Sequence, residues 1–477
     1  ARTGKFEPDS KVTWRSFKLE GVGGTHRSSR IGPETGIMKK LLVVLGFISG
    51  MSVAAGAEPV NRNQAYEVLV PGNETQSERK NPAGLEGRVV CGYQGWFRAE
   101  GDGSSLGYHH YEKKGKFEPG HCTIDLWPDL SEFDEDEKYP TPFRHADGSV
   151  ANVFSSLNPK TVDRHFRWMK EYHLDGVFVQ RFASLGAKEH GDYKLLKADN
   201  EKLLLCRDAA NQNDRCYALM YDLSGIDDGD FERLAVDWKQ LRTRMHLGTD
   251  PNDRAYLQFN GKPLVAIWGV GFNDDREYGL EMVEWFIRLL KHNPEWGGMS
   301  IMLGVPYGWR EQERDATRDE RLHEVLALAD VISPWSVGRY HSKDLDSGEI
   351  VTHQDADRKW CEERSTSYLP VLYPGFSWKN LHGGELDSIP REDGKFLWKQ
   401  FVAAKAAGNR SAYIAMFDEI DEATAIFKCS NDPPVGESEF LTYKGLPSDH
   451  YLWLSGEGRR LLNGEIPARL QTRDLLP

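Results

Sequence analysis

Eight short apolar runs recur along the chain after residue 88, and helical stretches separate most of them. Each run is nearly continuous rather than alternating, which is typical of strands buried on both faces of a parallel sheet. The runs span residues 89–97, 176–182, 216–223, 264–270, 300–305, 331–337, 369–376 and 412–417. Eight units of strand and helix predict an α/β fold, a (β/α)8 TIM barrel formed by a single domain over residues 88–465.

Helix signals between the runs support this prediction. Asn158 and Pro159 are typical of a helix start, and Val162, Phe166 and Met169 then fall on one helical face. A doubly wound open sheet is the alternative. No glycine fingerprint of the G-x-G-x-x-G or P-loop type follows any apolar run to support that alternative.

The first 57 residues have the pattern of a targeting segment. Met38, Lys39 and Lys40 precede an apolar stretch at 41–53, and small residues follow at 55–57. This order predicts a secretory signal peptide over residues 38–57, because the apolar stretch is too short for a membrane span. We therefore expect residues 1–37 to be an upstream extension, residues 58–87 a polar leader and residues 466–477 a tail. An uncleaved anchor is the alternative. The expected location is secreted or periplasmic, with no membrane contact after cleavage.

Composition narrows the class of ligand. Hydrophobic residues at 39% and charged residues at 28% describe a globular protein with a core. The formal net charge of -13 argues against nucleic acid or another polyanion as partner. Six cysteines follow the predicted signal peptide, where disulfides can persist, but their spacing does not choose a pairing. No spacing typical of a metal site is present, and we predict neither a metal nor a cofactor.

Polar and aromatic residues lie at or just after the ends of the predicted strands. In a barrel, such positions surround the active site. Aromatic rings there suit stacking against sugar rings, and polar side chains suit hydrogen bonds to hydroxyl groups. A structural role for each residue is the alternative. The candidate substrate-binding residues are Tyr93, Gln94, Trp96, Gln180, Arg181, Asp222, Trp268, Trp335, Tyr373 and Trp378.

The last apolar run is followed by four carboxylates within Asp418, Glu419, Ile420, Asp421 and Glu422. If the strand is central, some of these carboxylates face the mouth of the barrel. The two glutamates converge only if the chain turns between them, as it would where a strand becomes a loop. Paired carboxylates across a cleft are the usual equipment for glycoside hydrolysis. An acidic loop that caps the next helix is the alternative.

The segment 417–426 resembles the strand-eight motif of the glycoside hydrolase family 71/99-like group, in which two glutamates separated by two residues precede a small residue, Thr and an apolar residue. The stretches 91–97, 165–169 and 175–182 are similar to that group too. The resemblance covers residues 89–462. It implies a (β/α)8 barrel and retaining cleavage of an α-linked glycan, as in the endo-α-1,2-mannosidases of family 99.

The resemblance also implies roles for the two glutamates. By position, Glu419 is the base that takes a proton from the substrate's own 2-hydroxyl, which attacks C1 to give a 1,2-anhydro sugar. Glu422 is the acid that protonates the leaving oxygen. Family 99 members usually carry Trp-His between these glutamates, whereas this chain has Ile420 and Asp421. The departure leaves the sugar and linkage open, and related members with such departures are described as xylosidase or arabinosidase.

Two hypotheses compete with an exported glycoside hydrolase. One is a carbohydrate-binding protein on a hydrolase scaffold that has lost turnover. The other is a barrel hydrolase of another bond type, such as a metal-dependent enzyme. Ligand binding without turnover would favour the first, and hydrolysis abolished by EDTA the second.

We predict that the exported protein begins near Glu58, because small residues at 55–57 follow the apolar stretch. N-terminal sequencing of secreted material checks this. A mature terminus within residues 1–37 would contradict the signal-peptide interpretation.

Overall fold

A parallel β-sheet is the central element of the protein, and helices connect its strands. The computed structural model describes residues 60–72 and 81–469. The predicted upstream extension and signal peptide, and residues 470–477 of the predicted tail, lie outside the described residues.

The strands are β1 Val89–Tyr93, β2 Tyr139–Arg144, β3 Val150–Val153, β4 Gly176–Phe182, β5 Cys216–Asp222, β6 Gln258–Phe259, β7 Lys262–Trp268, β8 Ser300–Val305, β9 Val331–Pro334, β10 Ser367–Tyr368, β11 Val371–Leu372 and β12 Ala412–Ile414. The α-helices are α1 Arg62–Glu67, α2 Pro159–Glu171, α3 Ala183–Ala187, α4 Tyr193–Gln212, α5 Phe231–Arg244, α6 Leu280–His292, α7 Leu322–Leu326, α8 Ser342–Asp346, α9 Glu349–Glu363, α10 Lys379–His382, α11 Lys395–Ala406 and α12 His450–Leu462. Short 3-10 helices lie at Glu135–Glu137, Asp228–Asp230 and Glu392–Gly394.

The strand order of the main sheet is β10-β9-β8-β7-β5-β4-β1-β12-β11, and all of these neighbours pair in parallel. Each predicted apolar run contains one strand of this sheet. β6 adds an antiparallel pair to β7, and β2 and β3 form a separate antiparallel pair. β10 and β11 stand at the two ends of this strand order, because β10 pairs with β9 and β11 pairs with β12. Only two residues separate β10 from β11 in the chain. The two edges of the sheet therefore lie close together, and the sheet is curled. The predicted α/β architecture with a parallel sheet is confirmed.

The helix predicted to start at Asn158 is present as α2. The Asn158 side chain accepts a hydrogen bond from the backbone amide of Lys160, and Pro159 occupies the first helical position. Val162, Phe166 and Met169 are buried on the face that the sequence pattern indicated. Helix α2 therefore covers the sheet through the same apolar stripe that identifies it in the sequence.

Part of the predicted polar leader packs onto the helices of the domain. Helix α1 lies against α4 and α5, and Ala65 and Tyr66 are buried there. The Tyr66 hydroxyl donates a hydrogen bond to Asp237 Oδ1 at 2.6 Å, and Asn200 Nδ2 donates to the Ala65 carbonyl at 2.8 Å. A few apolar side chains thus attach a segment of polar composition to the fold.

Arg181, a candidate substrate-binding residue, lies instead in a buried ion network between the sheet and the helices. It is 1% exposed, and its guanidinium donates to both Asp237 carboxylate oxygens at 2.9 and 2.6 Å and to Asp199 at 2.6 Å. Successive side chains of a strand point to opposite faces, so Arg181 faces the helices while its neighbour Gln180 faces the other way. A ligand at the strand ends does not reach this guanidinium.

All six cysteines lie in the described part of the chain, and each is buried and not bonded to another cysteine. No disulfide therefore forms among them. Among the residues that the structure describes, no helix is long and apolar enough to cross a membrane.

We predict that Arg181→Met lowers the free energy of unfolding by about 3–5 kcal/mol, because it leaves the buried Asp237 carboxylate without its cation. Asp199 keeps its ion pair with Lys202. Urea-induced unfolding measures the change. Lys197→Met is the control, since Lys197 forms an exposed pair with Glu201, and it should stay within about 0.5 kcal/mol of the wild type. Equal effects of the two substitutions would contradict the network's role.

Candidate active site

Residues 418–426 form the carboxylate loop, a tight turn that follows β12. The backbone amides of Thr424 and Ala425 donate to the Glu419 carbonyl at 3.1 and 3.0 Å, and the Met416 amide donates to the Thr424 carbonyl at 3.0 Å. The chain thus turns back on itself where a continuing strand would have kept the glutamates apart. This turn places Glu419 and Glu422 together at the carboxyl end of the sheet.

Asp418 joins the carboxylate loop to the end of β1. Its two carboxylate oxygens accept hydrogen bonds from the backbone amides of Gln94 and Gly95 at 2.8 and 2.7 Å. The Asp418 side chain is fully buried, and burial raises the pKa of its carboxyl group to about 6. These bonds end β1 at Tyr93, before the predicted limit of residue 97, because the next amides turn toward Asp418.

Glu419 is buried and held by two hydrogen-bond donors. The Gln94 side-chain amide donates to Oε1 at 2.6 Å, and the Thr424 hydroxyl donates to Oε2 at 2.6 Å. Burial and then the charge of Asp421 raise the pKa of Glu419 to about 8, and the two hydrogen bonds keep it from rising further. The donors fix the orientation of this carboxyl group and favour its ionised form.

Glu422 has a different environment. Burial raises its pKa well above the ordinary value, and the nearby charges of Glu419, Asp421 and Asp222 add to the shift. A hydrogen bond from Trp378 acts in the opposite direction. Since fewer donors and more carboxylates surround it, Glu422 keeps its proton more strongly than Glu419 does.

Asp421 is a third carboxyl group in the same place. It is 3% exposed, and its Oδ2 lies 3.7 Å from His110 Nδ1. The His110 ring stacks on Trp96 with centroids 4.0 Å apart and an angle of 6° between the planes. His110 thus covers one face of Trp96, which was predicted to stack against a ligand.

Gln180 and Asp222 lie beside the two glutamates. Gln180 Nε2 donates to the Tyr413 hydroxyl at 3.1 Å. Burial and then the charge of Glu419 raise the pKa of Tyr413 well above its ordinary value, so this hydroxyl stays neutral. Burial also raises the pKa of Asp222, whose charge acts on Glu422.

Two tryptophans and an arginine form the adjoining part of the site. Trp268 and Trp335 meet edge to face with centroids 5.5 Å apart. The Arg276 guanidinium lies over the Trp268 ring at 5.1 Å and pairs with Asp274 at 2.8 Å. Its charge also lowers the pKa of Asp222, which connects this aromatic group to the carboxylates.

Tyr93 and Tyr373, both candidate substrate-binding residues, make their side-chain hydrogen bonds to residues other than the carboxylates. Both are fully buried. The Tyr93 hydroxyl is hydrogen-bonded to His165 Nδ1 at 3.0 Å, and the Tyr373 hydroxyl donates to the Tyr340 carbonyl at 2.6 Å. Both side chains pack inside the protein, as Arg181 does.

The remaining candidates belong to one connected group. Each member makes a hydrogen bond, a ring contact or an electrostatic interaction, either with another member or with a residue that adjoins the group. This group contains Gln94, Trp96, Gln180, Asp222, Trp268, Trp335, Trp378, Glu419 and Glu422.

Sequence reasoning missed Thr424, His110, Arg276 and Tyr413 as parts of this group. Thr424 and Tyr413 flank the acidic stretch in sequence, so proximity alone could have indicated them. His110 and Arg276 are contributed by long connections whose paths no periodicity predicts. Within the described part of the chain, no group of three or more His, Cys, Asp or Glu side chains is suited to hold a metal ion.

No family model matches the chain, and no curated protein matches it. Two solved structures of the GH99 endo-alpha-mannosidase from Bacteroides thetaiotaomicron are similar to it, one of them in complex with BIS-TRIS-Propane. Each is 15% identical and covers 80% of this chain and 99% of that chain, with TM-scores of 0.55 and 0.56. A solved glycoside hydrolase-like protein is 13% identical, with a TM-score of 0.47 and coverage of 82% and 98%. The chain therefore has a GH99-like fold.

We predict that Asp421→Asn stabilises the protein increasingly as the pH rises. Burial raises the pKa of Asp421 to about 8, against about 4 for an unfolded aspartate. Between these values the folded state binds the proton that the unfolded state has lost, so this group's contribution to stability falls as the pH increases. The substitution removes that loss, and we expect a gain on the order of 1–3 kcal/mol at pH 8 and little at pH 4.

Urea-induced unfolding at both pH values measures the gain. The control is Asp134→Asn, because the Asp134 side chain is 62% exposed, and we expect it to change the free energy of unfolding by no more than about 1 kcal/mol at either pH. A gain for Asp421→Asn that is equal at pH 4 and pH 8 would contradict the burial of an ionisable carboxyl group.

Proposed function

We propose that the protein is an exported glycoside hydrolase that cleaves an α-linked oligo- or polysaccharide with retention of configuration. The observation that carries the proposal is the pair Glu419 and Glu422, which lie together at the carboxyl end of β12 in different hydrogen-bonding environments. Glycosidases use a pair of carboxyl groups with different pKa values, one of which stays protonated while the other is ionised.

The proposal includes a complete (β/α)8 barrel as scaffold. Residues 369 and 370 continue the pairing between the two parts of the seventh strand: the Leu369 amide donates to the Ile332 carbonyl at 2.9 Å, and the Tyr413 amide donates to the Pro370 carbonyl at 2.9 Å. Segment 367–372 then acts as one strand that joins β9 to β12. In such a barrel, the carboxyl ends of all strands face a common site.

Glu419 is the proposed base. Its two donors, Gln94 and Thr424, favour the ionised carboxylate, which can take a proton from the substrate's 2-hydroxyl. The 2-oxygen then forms a bond to C1 as the bond from C1 to the leaving oxygen breaks. The product of this step is a 1,2-anhydro sugar.

Glu422 is the proposed acid. The surrounding carboxylates keep its proton in place until the leaving oxygen takes it. In the second step, Glu422 takes a proton from water as the water attacks C1. The bond between C1 and the 2-oxygen breaks, and the protonated Glu419 returns its proton to the 2-oxygen. Two displacements at C1 give retention.

The expected ligand is a neutral glycan. Trp268, Trp335 and Trp378 offer aromatic surface beside the carboxylates, which suits the apolar faces of sugar rings. The concentration of acidic groups would repel an acidic sugar. A panel of α-mannans, α-glucans and aryl xylosides would identify the sugar and the linkage.

We predict that Glu422→Gln slows hydrolysis of the natural glycan by about 10²- to 10⁴-fold, because its leaving oxygen needs a proton. On an aryl or fluoride glycoside, whose leaving group departs without that proton, the loss should be much smaller. Glu419→Gln should be slow on both kinds of substrate, since the 2-hydroxyl must still lose its proton. Steady-state kinetics on the two substrates measures both effects.

Two further observations complete this test. Glu385→Gln, at an exposed glutamate outside the site, should keep the wild-type rate, and a 2-deoxy substrate should not be turned over by the wild type. Near wild-type rates for both Glu419→Gln and Glu422→Gln on the natural glycan would sink the assignment and leave an acidic structural loop.

A further inference from the structure

We propose that Arg391 is a positioning residue for the carboxylate loop: its guanidinium holds the backbone on either side of Thr424, and so keeps Glu419 and Glu422 in their reactive orientation. The inference rests on the proposed function. Arg391 precedes α11, so it comes from a different part of the chain than the loop that it holds.

One nitrogen of Arg391 makes both contacts. Nη2 donates to the Ala423 carbonyl and to the Ala425 carbonyl, each at 2.7 Å. Thr424 lies between these two residues, and its hydroxyl binds Glu419 Oε2. The guanidinium therefore fixes the segment that supplies one of the two donors to the proposed base.

The same contact acts on the proposed acid. Ala423 follows Glu422 directly and has a φ of 50°, a left-handed conformation that residues with a Cβ adopt at a cost. Such a residue persists only when its surroundings impose it. The bond from Arg391 to the Ala423 carbonyl opposes relaxation of this turn, and a relaxed turn would reorient Glu422.

Arg391 is itself firmly held. It is 5% exposed, and its guanidinium lies over the rings of Tyr451 and Tyr443 at 4.5 and 5.3 Å. A Cβ at Gly375 would lie 2.5 Å from Arg391 Cγ, so any larger residue at position 375 would clash with the arginine side chain. A rigid, planar cation with two carbonyl partners is suited to fix a loop.

The experiment compares Arg391→Lys and Arg391→Met with the wild type on the glycan that the panel identifies and on its aryl glycoside. The expected result for Arg391→Met is a fall in kcat of about 10- to 100-fold on the natural glycan, because small displacements of reacting groups are costly. KM should change by less than about threefold. The loss should be smaller on the aryl glycoside, which depends less on Glu422. Arg391→Lys, which can still donate to one carbonyl, should recover part of the rate.

Arg207→Lys is the matched control, because Arg207 on α4 is also buried but pairs with Asp208 on the same helix and with Asp250 in the loop after α5. It should lower Tm and leave kcat within about twofold. Equal losses of kcat in Arg207→Lys and Arg391→Lys, or unchanged kcat in a folded Arg391 variant, would overturn the proposal. If Arg391→Met does not fold, the comparison of kcat between Arg391→Lys and Arg207→Lys decides.

A crystal structure of Arg391→Lys separates this proposal from the proposed function. We expect the Thr424 hydroxyl to move away from Glu419 and the Glu422 carboxyl group to shift, whether or not any glycan is cleaved. A carboxylate loop that superposes on the wild type would overturn the positioning role. A wild-type protein inactive on every glycan would instead count against the proposed function.

Discussion

The carboxylate of Asp418 joins the ends of β1 and β12, and the arrangement of the site depends on this contact. Its oxygens accept from the backbone amides of Gln94 and Gly95, which stops β1 and turns the Gln94 side chain onto Glu419. The first and last strands of the sheet are adjacent in space but distant in sequence, so one buried carboxyl group brings together donors and acceptors that local structure could not assemble.

Three carboxyl groups share the space that this contact creates, and their proximity has a cost. Burial and the charges of neighbouring carboxylates raise the pKa values of Glu419, Asp421 and Glu422, so the folded protein binds protons that an unfolded chain would release. Such a concentration opposes stability, as functional sites often do. The ion network around Arg181 and Asp237, which joins α1, α4 and α5 to the sheet, supplies rigidity elsewhere.

Apolar runs predicted the strands of the main sheet, because strands buried on both faces need continuous hydrophobic residues. The acidic stretch after the last run likewise indicated Glu419 and Glu422. The direction of side chains at strand ends was not predictable: Tyr93, Arg181 and Tyr373 point into the packing. Gln94 and Gln180, next in sequence to the first two, make contacts within the candidate site. A one-residue difference reverses the face. Tertiary contacts made by single side chains, such as those of Arg391 with the carboxylate loop, leave no periodic signal.

We propose that Glu419 takes the proton of the 2-hydroxyl while Glu422 protonates the leaving oxygen of the same sugar. A crystal structure of Glu422→Gln with an uncleaved α-linked oligosaccharide tests it most directly. We expect residue 422 to lie within about 3.2 Å of the glycosidic oxygen and the 2-hydroxyl of the same sugar to donate to Glu419. An oligosaccharide bound away from the carboxylate loop, or a 2-hydroxyl that faces away from Glu419, would contradict it.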